Sequence, residues 1–341
     1  MNIEKLEQTA RDLVPPGKGI LAADESFGTI GKRFEAHGID SSKDSRRAYR
    51  EMLFTTEGIG EFLSGVILFD ETLRQETSDG IPMTRVLEDA GVIPGIKVDK
   101  STVSLPLSTG EKFTEGLDGL GERLAEYREL GARFTKWRAV ITIGEGIPTD
   151  GCIDANAEAL ALYAAFAQEN GLVPIVEPEV LIDGDHSIEQ CYEATDRTLH
   201  RTFDELYDHG VELSGMLLKP NMVISGKDAA EQADVNEVAE ATVRCLLRSV
   251  PAAVPGIVFL SGGQTDLQAT AHLNAMNSMH EDLPWELSFS YARALQGQPM
   301  EIWGGDESKV EAAQKAFHHR GKMNSAARDG KYSDDMENQA A

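Results

Sequence analysis

The chain has 341 residues, 41% hydrophobic and 26% charged, enough for one large core and an ordinary size for a single α/β barrel. Its 32 Lys and Arg against 57 Asp and Glu give a formal net charge of −25, a field that argues against nucleic acid and anionic membranes as partners. Three cysteines without metal-ligand spacing (Cys152, Cys191, Cys245), no apolar run of membrane-spanning length and no leader-like character in Met1 to Glu7 predict reduced structural thiols and a cytoplasmic protein.

Short apolar runs alternate with helical patterns, the rhythm of βα units around a parallel sheet. The first strand is predicted at 19–24 (GILAAD), ending on Asp24 and followed by Ser26-Phe27-Gly28-Thr29. The second and third are predicted at 64–69 (SGVILF) and 94–99 (PGIKVD), the latter carrying Lys97 near its end. The fourth, 133–140 (RFTKWRAV), carries Lys136 and Arg138. Asp154 can then cap an Ala-rich helix running to Asn170, stopped by Gly171. The fifth strand, 172–179 (LVPIVEPE), carries Glu177 and Glu179, and the sixth, 215–221 (GMLLKPN), carries Lys219. A second well-marked helix spans Ala229 to Arg248 and ends before Pro251. The seventh strand, 256–261 (GIVFLS), runs into Ser261-Gly262-Gly263-Gln264, and the eighth, 285–291 (WELSFSY), leads to Arg293. Eight such units predict one (β/α)8 TIM barrel over 1–320. After Phe317 the composition turns to Gly, Lys, Asn, Ser and Asp, which predicts a short flexible C-terminal tail over 321–341. Asp185-His186 and His318-His319 read as solvated surface histidines.

Residues at the C-terminal ends of barrel strands face a common mouth, so charges far apart in sequence converge there. Strand period two sets Lys136 with Arg138 on one face and Glu177 with Glu179 on one face. Two cations inside a barrel need anions, and the glutamates can supply them; a purely structural ion-pair network is the alternative. Lys219 closes the apolar run Gly215-Met216-Leu217-Leu218, where an ammonium is costly to desolvate, and a neutral amine attacks a carbonyl. The set suits cleavage of a carbon–carbon bond beside a ketone. Lys219 would form an iminium that serves as an electron sink, Glu177 would shuttle protons, and Lys136 would disfavour a second cation beside it. Asp24 would take the hydroxyl proton whose loss breaks the bond. Neither metal nor cofactor is required. The Ser261-Gly262-Gly263 turn can form an anion nest, with Arg293 adding a charged fork. Ser26, Thr29 and Lys97 offer a second phosphate position.

These segments resemble class I fructose-bisphosphate aldolases of the animal and plant type. The similarity is carried by GKGILAADES (17–26), GIKVDK (95–100), KWRAV (136–140), ENGLVPIVEPEVL (169–181), LLKPNMV (217–223), FLSGGQ (259–264) and LSFSYARALQ (287–296), in order along nearly the whole chain. The resemblance implies a carbon–carbon lyase that reversibly cleaves fructose 1,6-bisphosphate into dihydroxyacetone phosphate and glyceraldehyde 3-phosphate, in a homo-oligomer, commonly a tetramer. It implies Lys219 as the Schiff-base lysine, Glu177 as the proton shuttle, Asp24 as the first-strand aspartate, and Lys136, Arg138 and Glu179 as their partners. It assigns Ser261, Gly262 and Arg293 to the C1-phosphate and Ser26, Thr29 and Lys97 to the C6-phosphate. Two departures stand out. Ala292 replaces the glycine of the family's FSYGR, and the chain ends in Gln339-Ala340-Ala341 rather than the terminal tyrosine that helps protonate the enamine. Cutting after Tyr332 is therefore expected to leave cleavage nearly unchanged. Three alternatives stay open: preference for sedoheptulose 1,7-bisphosphate, a metal-dependent aldolase, and a non-catalytic scaffold on the same fold.

Overall fold

A computed structural model describes residues 2–279 and 282–338. It contains ten strands: β1 (Gly19–Ala23), β2 (Leu63–Leu68), β3 (Ile93–Lys97), β4 (Thr102–Ser104), β5 (Lys112–Thr114), β6 (Phe134–Ile141), β7 (Val173–Val180), β8 (Leu217–Leu218), β9 (Gly256–Phe259) and β10 (Glu286–Tyr291). Eight of them close a barrel in the order β1-β2-β3-β6-β7-β8-β9-β10, every neighbouring pair parallel, with β10 returning to β1. With helices between the strands, this is the (β/α)8 TIM barrel expected from the sequence. The short antiparallel hairpin of β4 and β5 has no counterpart in the sequence reading.

Alternation along each strand decides what fills the barrel. Leu21 and Ala23, Trp137 and Ala139, Val176 and Val180 belong to the large cluster shared with the surrounding helices. The opposite phase, Ile20 and Ala22, Phe134, Val173 and Ile175, Leu217 and Val258, forms a separate inner cluster. The N-terminal helix Ile3–Asp12 adds Leu6 and Ala10 to it, joined by Leu13 and Val14, so this helix stops the N-terminal end of the barrel. Phe134 fills the inner cluster because two facing positions lack side chains. A Cβ on Gly95 would lie 2.3 Å from its ring and one on Gly65 3.1 Å from it. Continuing the inner phase two residues at a time leads from Ile20 and Ala22 to Asp24, from Phe134 to Lys136, from Ile175 to Glu177 and from Leu217 to Lys219. The inside is thus apolar below and charged above.

Several boundaries differ from expectation. Strand β8 is two residues long because Pro220, just past Lys219, has no N–H for the ladder. Asn221 replaces the lost pairing by accepting the Val180 N–H at 3.0 Å. The Ala-rich helix begins at Asp150, not after Asp154: Thr149 caps it by accepting the Cys152 N–H at 3.2 Å, and Asp154 instead pairs with Arg201 at 2.7 Å. The next predicted helix starts at Val235, where Asp234 and Glu237 form a reciprocal capping box that fixes the first turn. Residues 321–328, expected in the tail, are the last turns of the helix Val310–Arg328. That segment is polar yet buried because its polar groups are bonded: Asn324 accepts the Thr270 hydroxyl at 2.9 Å, and Arg328 pairs with Glu286. Residues 339–341 lie outside the described residues.

Candidate active site

Four charged side chains meet where the inner phase turns polar. Glu177 Oε1 is 3.2 Å from Lys219 Nζ, and its Oε2 is 3.1 Å from Lys136 Nζ. Lys136 Nζ reaches Asp24 Oδ2 at 2.7 Å. Lys136, Glu177 and Lys219 are each only 3% exposed, so two basic and two acidic side chains face one another with little water to screen them. Burial on its own would raise the Asp24 carboxyl, but Lys136, with smaller contributions from Lys219 and Lys97, holds it well below the ordinary carboxylate range. Burial opposes the Lys136 ammonium, yet Asp24, Glu177 and Asp99 together raise its pKa above the ordinary lysine value. Lys136 is therefore a fixed cation, and Asp24 a carboxylate kept ionised inside the barrel.

Around this centre, Arg138 forms a close ion pair with Glu179, as their shared strand phase predicts. Asp99, which the sequence reading passed over, lies just past the end of β3 and ties Lys97 to the neighbouring strand β6. Its Oδ1 pairs with Lys97 Nζ and accepts the Ser101 N–H at 3.1 Å, and its Oδ2 accepts the Arg138 N–H at 3.3 Å. The signal was present in GIKVDK, since two residues along a strand share a face. A second omission is Arg33, paired with Glu25. Burial, then the charge of Arg33, lowers the pKa of the Arg293 guanidinium, while Glu179 and Asp183 oppose them and Arg138 lowers it further. Three guanidinium groups thus press on one another in a strongly acidic chain, which concentrates positive potential where an anion would enter.

The loop after β9 has the form of an anion nest. Gly262 and Gly263 adopt φ of +55° and +99°, the left-handed region that glycine enters freely. Among the described residues their N–H groups have no partner. A Cβ on Gly263 would lie 3.5 Å from Arg293 Nη2, so loop and guanidinium are adjacent. After β1, two strands round the barrel from β9, Ser26 precedes the helix Phe27–Ala36 without capping it, and its hydroxyl lies 3.2 Å from that of Thr29. Ala292 has φ of −102°, outside the left-handed region that favours glycine.

The two histidine expectations fail differently. His186 is buried, 4% exposed, with neither ring nitrogen hydrogen-bonded among the described residues. The surrounding glycines let the chain close over it: Gly226 lies against the backbone of Gly184 and donates its N–H to the His186 carbonyl at 2.8 Å. His319 is half-buried, 3.1 Å from the Glu337 carboxylate. All three cysteines are buried, and burial raises their pKa values, Cys245 to about 12. Among the described residues, three possible metal-ligating groups come close together only at Glu158, Glu205 and His209, on outer helices rather than at the barrel mouth. No helix among the described residues is long and apolar enough to cross a membrane.

Known proteins resemble this chain along nearly its full length. The family model for class-I fructose-bisphosphate aldolase matches residues 5–341. A Xanthomonas campestris protein named probable fructose-bisphosphate aldolase class 1 is 57% identical over 97% of this chain and 99% of its own length. The Arabidopsis thaliana cytosolic fructose-bisphosphate aldolase 4 is 54% identical over 94% of this chain and 82% of its own. A solved fructose-bisphosphate aldolase from Plasmodium falciparum, in complex with TRAP and a small-molecule inhibitor, superposes with a TM-score of 0.95 at 48% identity, covering 97% and 95% of the two chains. With this agreement in sequence, fold and strand-end charges, the chain belongs to the class I fructose-bisphosphate aldolase family.

Proposed function

We propose that this chain reversibly cleaves fructose 1,6-bisphosphate into dihydroxyacetone phosphate and glyceraldehyde 3-phosphate through a Schiff base on Lys219, within glycolysis and gluconeogenesis. The observation that carries the reading is the Glu177 carboxylate bridging Lys219 at 3.2 Å and Lys136 at 3.1 Å, with Lys136 reaching Asp24 at 2.7 Å. Lys219 gives one proton to Glu177 and attacks the C2 ketone as the neutral amine; the nitrogen then passes a second proton to the new oxygen and Glu177 returns the first to it, so that the oxygen departs as water and an iminium remains. The resulting iminium draws electrons. Asp24 accepts the C4 hydroxyl proton, C4 becomes an aldehyde, and the C3–C4 electron pair moves into an enamine. Protonation at C3 and hydrolysis free the second triose and restore Lys219. Lys136 holds Asp24 ionised until it takes the C4 hydroxyl proton, consistent with the lowered carboxyl pKa.

The phosphates would bind at opposite ends of the open chain. Ser261, Gly262, Gly263 and Arg293 suit the C1-phosphate, and Ser26, Thr29 and Lys97 the C6-phosphate. Lys97 is already paired with Asp99, so it exchanges that partner for the ligand. The names borne by the relatives support the substrate, and their cytosolic members support a cytoplasmic setting. We extend the family's assembly to this chain as a homotetramer, readable by sedimentation as four 37.1 kDa subunits. Borohydride reduction in the presence of dihydroxyacetone phosphate and a chelator tests the chemistry. The expected result is one triose on the peptide containing Lys219 and none in Lys219→Met. A label elsewhere, or unaltered turnover in Lys219→Met, rules the mechanism out.

A further inference from the structure

We infer that His272 is a positioning residue for the anion loop, orienting the Ser261–Gly262 peptide through Gln264 and thereby aiming the Gly262 N–H at a bound phosphate. This rests on the proposed role of that loop in holding the C1-phosphate. His272 lies on the buried side of the helix Asp266–Met279, only 3% exposed. Its Nδ1 is 2.6 Å from Gln264 Oε1, while Gln264 Nε2 is 3.1 Å from the Ser261 carbonyl oxygen and 3.6 Å from Met222 Sδ. A carbonyl oxygen only accepts, so that end of the Gln264 amide is its NH2 group and the other end is its oxygen. The amide oxygen in turn only accepts, so His272 Nδ1 must carry the proton. Burial holds the imidazole down at about 4, which leaves the ring neutral at neutral pH with a single tautomer in place.

The Ser261 carbonyl also accepts the Gln264 backbone N–H at 2.9 Å. Two donors therefore hold this oxygen, one through the turn and one through the histidine relay. Because a trans peptide is planar, the Gly262 N–H points opposite to the Ser261 carbonyl. Pinning the oxygen toward Gln264 turns the N–H outward, where it has no partner among the described residues. Without His272 the Gln264 side chain loses the contact that holds its amide, one of the two restraints weakens, and the donor is less well aimed. A phosphate held equally in the ground and transition states affects KM rather than kcat.

The test compares wild type, His272→Ala and His272→Asn, measuring kcat and KM for fructose 1,6-bisphosphate and the dissociation constant for dihydroxyacetone phosphate. His272→Ala is expected to raise both KM and that dissociation constant roughly five- to tenfold, the scale of one lost hydrogen bond, with kcat within about twofold. In His272→Asn the Nδ2 amide falls where the imidazole Nδ1 was and donates the same bond, so affinity returns. An unchanged KM in a folded His272→Ala, or an Asn variant no better than Ala, overturns the inference. Should His272→Ala not fold, 15N spectra of histidine-labelled wild type decide: the Nδ1–H tautomer supports the relay, and the Nε2–H tautomer overturns it. Failure of the wild type to cleave the bisphosphate or to be trapped on Lys219 refutes the catalytic reading instead and leaves the tautomer measurement standing.

Discussion

Replacing Lys136 with Met removes the cation that Asp24 and Glu177 share. Lys136 lies 2.7 Å from Asp24 and 3.1 Å from Glu177, while Lys219 contacts only Glu177 of the two, at 3.2 Å. The variant leaves Lys219 as the one lysine beside the two carboxyl groups, and Asp24 loses its contact altogether. Removing one partner of a buried pair costs about 3–5 kcal/mol. With roughly 2.1 cal/mol/K per residue of unfolding entropy over 341 residues, melting falls by about 4–7 °C. The pH dependence has a definite sign. In wild type the depressed Asp24 pKa contributes stability above the ordinary carboxyl value near 3.8, and that stability is lost only as the medium becomes strongly acidic. Without Lys136, burial dominates and raises the carboxyl, so acidification relieves the variant. The deficit measured by calorimetry is therefore largest at pH 7 and narrows toward pH 4. Turnover falls by about 10²–10⁴, since the base that accepts the C4 proton is no longer kept ionised. Adding Asp24→Asn removes the uncompensated charge and regains most of the stability, but none of the activity. A Lys136→Met protein that melts with wild type at pH 7, or a deficit that widens on acidification, refutes the reasoning.

Three further outcomes are expected. The folded pKa of His272 is about 4 against an ordinary 6.5, so wild type loses roughly 3 kcal/mol relative to His272→Asn as the pH falls from 7.5 to 4, the unfolded chain taking the proton first; urea titrations with equal pH slopes for the two proteins would contradict this. Gly95→Ala places a Cβ 2.3 Å from the Phe134 ring and should cost about 1–3 kcal/mol or more, partly recovered by Phe134→Leu; an unshifted urea midpoint in the single variant speaks against the packing described. Cutting after Tyr332 removes Glu337, which accepts Arg320 at 2.6 Å, His319 at 3.1 Å and the Tyr332 hydroxyl at 3.0 Å. With Arg320 only 3% exposed, about 2 kcal/mol of stability should go with it while turnover stays near wild type; a large loss of turnover in the folded truncated protein gives the end of the chain a role of its own.

The convergence of the strand-end charges was legible because strand alternation is a rigid rule. Once 133–140 and 172–179 are strands, Lys136 and Arg138 share a side, as do Glu177 and Glu179, and barrel closure brings them to one end. Residues whose role depends on contacts made elsewhere were not legible. His272 sits in an ordinary helical pattern, and nothing local says that its ring reaches Gln264. The Gly-Asp-His segment around His186 reads as a solvated loop until Gly226 packs onto Gly184. Arg320, Asn324 and Arg328 make the last helix look like a tail, because composition registers their polarity and not the bonds that let them be buried. Thr149 was overlooked as a cap since Asp154, an equally good capping type, stood nearer the alanines. Sequence offers both candidates, and the folded chain chooses by giving Asp154 to Arg201.

The apolar plug beneath Lys219, stoppered by Leu6, Ala10, Leu13 and Val14, makes the catalytic chamber a cul-de-sac. Reactants, leaving aldehyde and the hydrolytic water all share one doorway. On the proposed Schiff-base route, departure of the glyceraldehyde half clears the passage while the remaining triose is still tethered to Lys219, and water enters by the same way. On that route the covalent tether sets the order of release, and the closed floor sends both products out by one mouth.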